Sequence, residues 1–302
     1  MKKNKTMKRL VMLLVSGMIA GGWGNDAGEK SAAFLKLGQG ARANGMAGAY
    51  CAIVDEASAC YWNPAGLVQL NQNEALFMYL RPMTEVDGLA YSSINMALSS
   101  VNEAYGVSLV YLGYGKEKGY DNAANPTDDW SASDMAISCS YAKRINQRLS
   151  MGVSLKAIQL RIDDKGAQSI CLDAGLLCKD YRPNLNLAAV LTNLGTKPKS
   201  EKEGDPLPLS LRLGGAYKKN LKFPTLISLD TNLSPFYIAL GVELQISPIF
   251  LVRAGYASGP ADEGSGLTAG FGISQPTFGI DYAIRPYGEL GLSHYISLSS
   301  KF

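Results

Sequence analysis

Residues 236–246 read FYIALGVELQI, and a large apolar side chain occupies every second position. One face of this segment consists of Phe236, Ile238, Leu240, Val242, Leu244 and Ile246, and the other of Tyr237, Ala239, Gly241, Glu243 and Gln245. Alternation with a period of two predicts a β-strand that has one apolar face and one polar or small face.

The same alternation recurs along the chain after residue 74, in segments of about ten residues. About fourteen such segments can be counted, and an even number is typical of a single-chain bacterial barrel. The predicted strands lie near 75–82, 86–99, 102–115, 134–144, 148–162, 168–178, 184–194, 208–218, 223–233, 237–246, 249–256, 264–274, 276–285 and 290–302.

Connections between the predicted strands alternate between short and long. The connections after the third and seventh segments, residues 116–133 and 195–207, are long and polar, whereas those after even-numbered segments are tight. Short periplasmic turns and longer outer loops are a property of transmembrane barrels. The fold class we predict is therefore all-β, an antiparallel outer-membrane barrel with both termini on the periplasmic side. The alternative is a secreted soluble β protein.

The first residues have a different character from the strands. Five basic residues between Lys2 and Arg9 precede the apolar run 10–19, and small residues follow. This order predicts a secretory signal peptide. The predicted organisation is a signal peptide at 1–27, an N-terminal hatch at 28–73 and a transmembrane barrel at 74–302.

The predicted hatch contains the stretch 34–70, FLKLGQGARANGMAGAYCAIVDEASACYWNPAGLVQL, which is rich in Gly and Ala and nearly uncharged. Such a composition permits close backbone packing but supplies few large apolar groups for a core of its own. The Asn63-Pro64 pair disfavours helix at Asn63, and Gly66 can adopt a positive φ, so a sharp turn is predicted there. We expect this stretch to pack inside the barrel as a plug.

Charge and cysteine content limit the functions to consider. The net charge of +3 and the scattered Lys and Arg residues after the leader give no indication of nucleic-acid binding. The five cysteines include no CxxC pair, and a Cys51–Cys60 disulfide and free buried cysteines both remain open.

The last predicted strand is amphipathic and ends at Phe302. A terminal aromatic residue on such a strand resembles the signal that the barrel assembly machinery reads in outer-membrane proteins. We therefore expect that machinery and the outer-membrane lipid to be partners of this chain.

The motifs FLKLG at 34–38, GMAGAY at 45–50 and YWNPAG at 61–66 resemble the opening of the PorV/PorQ family of outer-membrane proteins. That family is similar to the long-chain fatty acid transporters of FadL type. The resemblance implies a fourteen-stranded barrel with an N-terminal hatch.

Two functions follow from the resemblance. In the first, the barrel is associated with type IX secretion and binds secretion-system components and cargo proteins through the loops at 116–133 and 195–207. In the alternative, it is a passive uptake channel for hydrophobic small molecules such as fatty acids. Arg42 would then meet an anionic head group, Tyr50, Tyr61 and Trp62 would line an apolar pocket, and Asn63, Pro64 and Gly66 would position the hatch. The competing interpretation is that Arg42 pairs with Asp55 or Glu56 and that the aromatic residues are packing anchors.

Catalysis is not expected from the residues present. His294 is the sole histidine, which leaves no second histidine for a metal pair, and no GxSxG motif occurs. Gly38-Gln39-Gly40 does not complete a GxGxxG motif, because the next glycine is Gly45 and no strand precedes it. The sequence therefore predicts no catalytic residue, metal site or cofactor.

Overall fold

The computed structural model describes residues 30–121, 125–198, 204–258 and 265–302. The predicted signal peptide at 1–27 lies outside these ranges. Within them, fourteen antiparallel strands form a closed barrel in which each strand pairs with its sequence neighbours and β1 pairs with β14. The strands are β1 (Glu74–Arg81), β2 (Ala90–Ser99), β3 (Glu103–Tyr120), β4 (Pro126–Arg144), β5 (Leu149–Ile162), β6 (Lys165–Arg182), β7 (Leu185–Gly195), β8 (Ser210–Asn220), β9 (Pro224–Leu233), β10 (Phe236–Gln245), β11 (Phe250–Ala257), β12 (Leu267–Ser274), β13 (Phe278–Pro286) and β14 (Leu292–Lys301).

The predicted alternation is confirmed residue by residue in β10. Phe236, Ile238 and Leu240 are exposed on the outer surface, whereas Ala239 and Glu243 are buried on the inner surface. From Ser150 to Lys156, β5 shows the same arrangement, with Met151, Val153 and Leu155 outside and the small and polar residues inside. Large apolar side chains on an outer surface are stable only in apolar surroundings, so the band that they form is the lipid-facing surface of a transmembrane barrel.

Several predicted boundaries were wrong, among them those of β6, which spans Lys165–Arg182 rather than 168–178. β2 begins at Ala90 rather than at residue 86. The predicted loop at 116–133 is largely strand, because β3 continues to Tyr120 and β4 starts at Pro126. Beyond the lipid-facing band both faces of these strands are in water, so the side chains no longer alternate although the backbone pairing continues through two register shifts.

Two to four residues follow each even-numbered strand, and the connections after odd-numbered strands are longer except after β5 and β9, where they hold two residues each. We call the two ends of the barrel the turn end and the loop end. No helix among the described residues is long and apolar enough to cross a bilayer.

Residues 30–73 precede the barrel and contain the helices α1 (Ala41–Gly45) and α2 (Ala59–Trp62). Two 3-10 turns, Ala33–Lys36 and Pro64–Gln69, flank them, and a third, Gly288–Leu290, precedes β14. The N-terminal segment contacts inward-facing positions all around the barrel, from Gly106 on β3 to Gly270 on β12. It therefore lies in the lumen, where its small residues replace water.

Three apolar clusters fill the lumen, and two of them are large. One cluster surrounds Trp62 and Leu67 toward the turn end, and its strand members include Leu76 and Leu226. The other surrounds Phe34 and Leu35 toward the loop end. The N-terminal segment thus supplies the centre of both clusters, as a segment without a core of its own requires.

Candidate functional site

The turn at Asn63-Pro64 fixes the end of the N-terminal segment before it enters β1. Asn63 caps the 3-10 turn Pro64–Gln69 by accepting a hydrogen bond from the Ala65 backbone N–H at 3.0 Å. Its amide also donates to the Cys51 carbonyl at 2.9 Å and to the Leu176 carbonyl of β6 at 3.3 Å. The prediction that these residues form a sharp turn is confirmed.

The reason for glycine at position 66 differs from the predicted one. Gly66 lies within the 3-10 turn and does not have a positive φ. A Cβ at this position would instead collide with the side chain and carbonyl of Val54. Gly66 therefore permits a close approach of two backbone segments.

Arg42 is surrounded by carboxylates. Its Nη1 lies 2.6 Å from Asp55 Oδ1, and its Nε and Nη2 donate to the two carboxylate oxygens of Glu243 on β10 at 2.8 Å each. Glu56 Oε2 lies 3.7 Å from Nη1. The predicted pairing with Asp55 or Glu56 is thus present, and Glu243 adds a bidentate contact to the barrel wall.

The ionic network continues along the wall. Arg253 on β11 donates from Nε to Glu243 at 2.6 Å and from Nη1 to Asp281 on β13 at 2.5 Å. We call Arg42, Asp55, Glu243, Arg253 and Asp281 the ionic latch. Because a buried charge is costly unless it is paired and hydrogen-bonded, this network holds the N-terminal segment against β10, β11 and β13.

A second carboxylate binds the backbone of the N-terminal segment. Asp230 on β9 accepts hydrogen bonds from the backbone N–H groups of Tyr50 at 3.0 Å and Cys51 at 2.9 Å.

Cys51 and Cys60 are both free and buried, so the disulfide between them is absent. Cysteine serves here as a small apolar residue.

The three aromatic residues named from the sequence lie together at the centre of the N-terminal segment. Trp62 packs edge-to-face on Tyr50 and Tyr61, with ring centroids 6.1 and 5.0 Å away. Its Nε1 donates to the Gln39 carbonyl at 2.6 Å, and the Arg212 guanidinium lies 4.9 Å from its ring. Since Tyr50 and Trp62 are buried on all sides, they act as packing anchors in this conformation.

Tyr61 is the exception, because it borders a small cavity of about 10 Å³ against β3, β4 and β5. This volume is close to the lower limit for one water molecule. Lys156 also borders the cavity, and its ammonium binds Asp173 at 2.9 Å and Asn193 at 2.8 Å. The lumen around Tyr61 is therefore filled.

The apolar cluster toward the loop end is a candidate ligand chamber. Phe34 is 1% exposed and Leu35 is 6% exposed, although both follow a stretch that enters from the loop end, where Ser31 N–H donates to the Pro206 carbonyl. The walls are Met78, Leu80, Tyr91, Val110, Leu112, Ala136, Ile158, Cys171, Leu207, Ala283 and Tyr295. The chain's own Phe34 and Leu35 occupy this chamber.

Burial also changes the protonation of Glu56. Its Oε1 accepts a hydrogen bond from the Ser58 hydroxyl at 2.6 Å. Desolvation raises the pKa of Glu56 to about 7, although Arg42 opposes this shift. The charge of Glu56 therefore changes near neutral pH.

Sequence reasoning missed Glu243, Arg253, Asp281 and Asp230 as partners of the N-terminal segment. The sequence feature that could have identified them is a charged residue on the inner face of a strand whose outer face is apolar. The sequence analysis assigned Glu243 to that inner face but predicted no partner for it.

The described residues hold no cluster of three or more His, Cys, Asp or Glu side chains that could hold a metal ion. Phe302 is exposed at the turn end, where its N–H donates to the Asn73 carbonyl, and its role as an assembly signal stays a prediction.

No family model matches this chain, and no curated protein sequence matches it significantly. Solved structures do match. The toluene transporter TbuX of Ralstonia pickettii superposes with a TM-score of 0.64, at 13% identity, over 88% of this chain and 98% of that one. The CymD monoaromatic hydrocarbon channel gives 0.61, at 14% identity, over 88% and 98%. A FadL homologue of Pseudomonas aeruginosa gives 0.55, at 13% identity, over 87% and 98%.

At these identities the similarity concerns the fold. It extends over 98% of each of those chains. The lipid-facing band and the closed barrel are features of an outer-membrane protein, since a barrel of this kind crosses the bacterial outer membrane. The chain is a fourteen-stranded outer-membrane barrel with the fold of hydrocarbon transporters.

Proposed function

We propose that this protein is a passive channel that admits hydrophobic small molecules across the bacterial outer membrane. The observation that carries the proposal is the apolar chamber at the loop end, which the chain's own Phe34 and Leu35 fill. A chamber of this composition suits an apolar ligand, because binding would replace one set of apolar contacts by another. The fold shared with a toluene transporter and a monoaromatic hydrocarbon channel supports the same class of ligand.

In this proposal, residues 28–73 act as a hatch. With the loop end outside the cell, a ligand enters from the outer side and displaces Phe34 and Leu35 from the chamber. The ionic latch keeps the rest of the segment in place. Arg42 then positions the hatch instead of binding a head group, because carboxylates surround its guanidinium. Tyr50, Trp62, Asn63, Pro64 and Gly66 hold the hatch together, and Tyr61 borders the small cavity beneath the chamber.

The type IX secretion hypothesis predicts instead that the outer loops bind secretion components and cargo. The similarity to hydrocarbon channels supports the uptake alternative over that hypothesis. The same comparison supports transport rather than catalysis as the activity of the barrel.

An uptake assay in whole cells tests the proposal, because hydrophobic molecules cross plain lipid vesicles unaided. The host is a Gram-negative strain that lacks its own channels for toluene and fatty acids. Cells that express the protein should take up labelled toluene or oleate faster than cells with an empty vector, and a labelled polar sugar should enter at the same rate in both. Equal rates for the apolar solutes, or a matching increase for the sugar, would contradict a selective hydrophobic channel.

A variant connects the activity to the chamber. Phe34→Ala removes a buried side chain and leaves a cavity in the chamber, so toluene uptake should increase. The matched control is Phe278→Ala on the outer face of β13, where the side chain is 47% exposed and faces lipid. An equal change in toluene uptake for both variants would indicate that toluene does not pass through the chamber.

A further inference from the structure

Basic side chains gather at the turn end on one side of the barrel. They lie at the strand ends and turns that connect β4 to β5, β6 to β7 and β8 to β9. The members are Lys143, Arg144, Arg148, Lys179, Arg182, Lys218, Lys219 and Lys222. The turns from β10 to β11 and from β12 to β13 carry no charged residue at 247–249 and 275–277. We call the eight residues the basic arc.

Few carboxylates neutralise the basic arc. Lys143 pairs with Glu103 at 3.2 Å, and Arg144 donates to the Val68 carbonyl of the N-terminal segment at 2.8 Å. Within the described parts of the chain, no ion pair joins Arg148, Lys179 or Arg182 to a carboxylate, and the same is true of Lys218 and Lys219. These cations are exposed, so an anionic partner can reach them.

The basic arc ends at an open groove between the turn from β2 to β3 and the turn from β4 to β5. The groove has a volume of about 990 Å³. Val101, Tyr105 and Ile145 form its apolar part, and Lys143 and Arg144 form its cationic part, beside Glu103, which pairs with Lys143. Tyr105 and Tyr141 pack together on the outer face beside it, with ring centroids 5.3 Å apart. The groove is therefore amphipathic and continuous with the lipid-facing band.

Exposed tyrosines lie beside the basic arc, at the same turn-end edge of the lipid-facing band. Tyr181 and Tyr217 are 52% and 41% exposed next to Arg182 and Lys218. Tyrosine at the edge of a membrane-spanning surface lies at the lipid head groups, where its ring is in apolar surroundings and its hydroxyl is in water. Basic side chains beside these tyrosines extend to the same depth.

We propose that the basic arc and its groove bind the head groups of anionic phospholipids in the periplasmic leaflet, so that such lipids are enriched on one side of the barrel. Acyl chains would lie along the groove, and phosphates would meet the cations. A phospholipid fits better than an acidic protein, because the cations border the lipid-facing band and the groove pairs an apolar surface with charge. The inference rests on the membrane location and orientation in the proposed function, but not on the transported molecule.

Lipid competition on the purified, refolded barrel tests the proposal. Detergent-solubilised protein is given an equimolar mixture of phosphatidylglycerol and phosphatidylcholine, and native mass spectrometry counts the lipids that stay bound. The arc variant carries Arg148→Gln, Lys179→Gln, Arg182→Gln, Lys218→Gln and Lys219→Gln. Lys143 is retained so that Glu103 keeps its partner. The control variant removes five loop-end cations by Arg81→Gln, Lys116→Gln, Lys118→Gln, Arg161→Gln and Lys197→Gln.

Wild-type protein should prefer phosphatidylglycerol, and the arc variant should lose that preference while the control keeps it. Each cation near an anionic head group contributes about 1 kcal/mol, or about fivefold in binding, so the loss of two contacts should lower the ratio more than about tenfold. A gel shift on heating confirms that each variant has folded. Equal binding of both lipids by wild type, or an equal loss in both variants, would overturn the proposal. A preserved lipid preference with loss of a co-purifying acidic periplasmic protein would also overturn it, in favour of a protein partner.

Discussion

Replacement of Glu243 by glutamine should destabilise the protein strongly, because this carboxylate is shared by two buried arginines. It accepts from Arg42 at 2.8 Å and from Arg253 at 2.6 Å, and its side chain is 7% exposed. Removal of one partner from a buried ion pair costs about 3–5 kcal/mol. Arg42 keeps Asp55 and Arg253 keeps Asp281, so the expected loss for Glu243→Gln is near the lower limit, about 3 kcal/mol.

The loss can be measured by urea-induced unfolding of the barrel in lipid vesicles, followed by its heat-dependent gel mobility. The matched control is Glu103→Gln, which removes an exposed partner of Lys143 and should cause no measurable change. The double variant Arg42→Met with Glu243→Gln should cost less than the sum of the two single losses, because one unpaired charge disappears with the other. A loss below about 1 kcal/mol for Glu243→Gln, or additive effects in the double variant, would refute the structural role of the ionic latch.

Three further outcomes follow from the packing of the barrel and its lumen. Leu240→Arg puts a charge on the lipid-facing band and should cost about 2–4 kcal/mol in the same vesicle assay, whereas Leu240→Phe should be tolerated. Gly241→Ala brings a Cβ to 2.7 Å from the Cβ of Met46 and should increase protease cleavage of the N-terminal segment, whereas Gly215→Ala, with its nearest atom at 3.6 Å, should not. Burial raises the pKa of Glu56 from 4.5 to about 7. The segment should therefore be bound most firmly below about pH 4.5, where the carboxyl is neutral whether the segment is bound or released, and should loosen as the pH rises from there to about 7. Glu56→Gln should remove this dependence of cleavage on pH, and a wild-type protein that is cleaved equally at about pH 5 and about pH 8 would contradict the burial of that carboxyl.

The strands could be predicted from the sequence because the side chains on the outer face of a membrane-spanning strand contact lipid and must be apolar. Each outward residue from Phe236 to Leu240 must be apolar, and the inner residues are free to be small or polar, so a period of two appears without any knowledge of the neighbouring strands. The rule fails where the lipid ends. In the region 116–133, which was predicted as a loop, β3 continues to Tyr120 and β4 already begins at Pro126.

The candidate site was predictable only where its contacts are local in the sequence. Arg42 and Asp55 are close along the chain, and their pairing was one of the two interpretations. The contact between Arg42 and Glu243 spans 201 positions and depends on the register of β10 and on the depth of the N-terminal segment in the lumen. No pattern within either segment encodes those two quantities. The same holds for Asp230, which binds backbone N–H groups that every residue carries.

The N-terminal segment is held by different forces on its two sides. Toward β10, β11 and β13 the ionic latch fixes it by charge, and close contacts at Gly241 and Gly255 add to the hold. Toward β5 and β6 it packs closely on Gly152 and Gly175, and hydrogen bonds from Ser150 to the Ala65 carbonyl and from Asn63 to the Leu176 carbonyl join the two surfaces. Close packing and hydrogen bonds weaken as soon as the surfaces separate, since dispersion and hydrogen bonding fall steeply with distance. Charge pairs act over longer distances. Under the proposed function, a ligand in the chamber would therefore separate the segment from the wall at β5 and β6 more easily than from the charged wall at Glu243, so the segment would open the chamber and stay attached to the barrel.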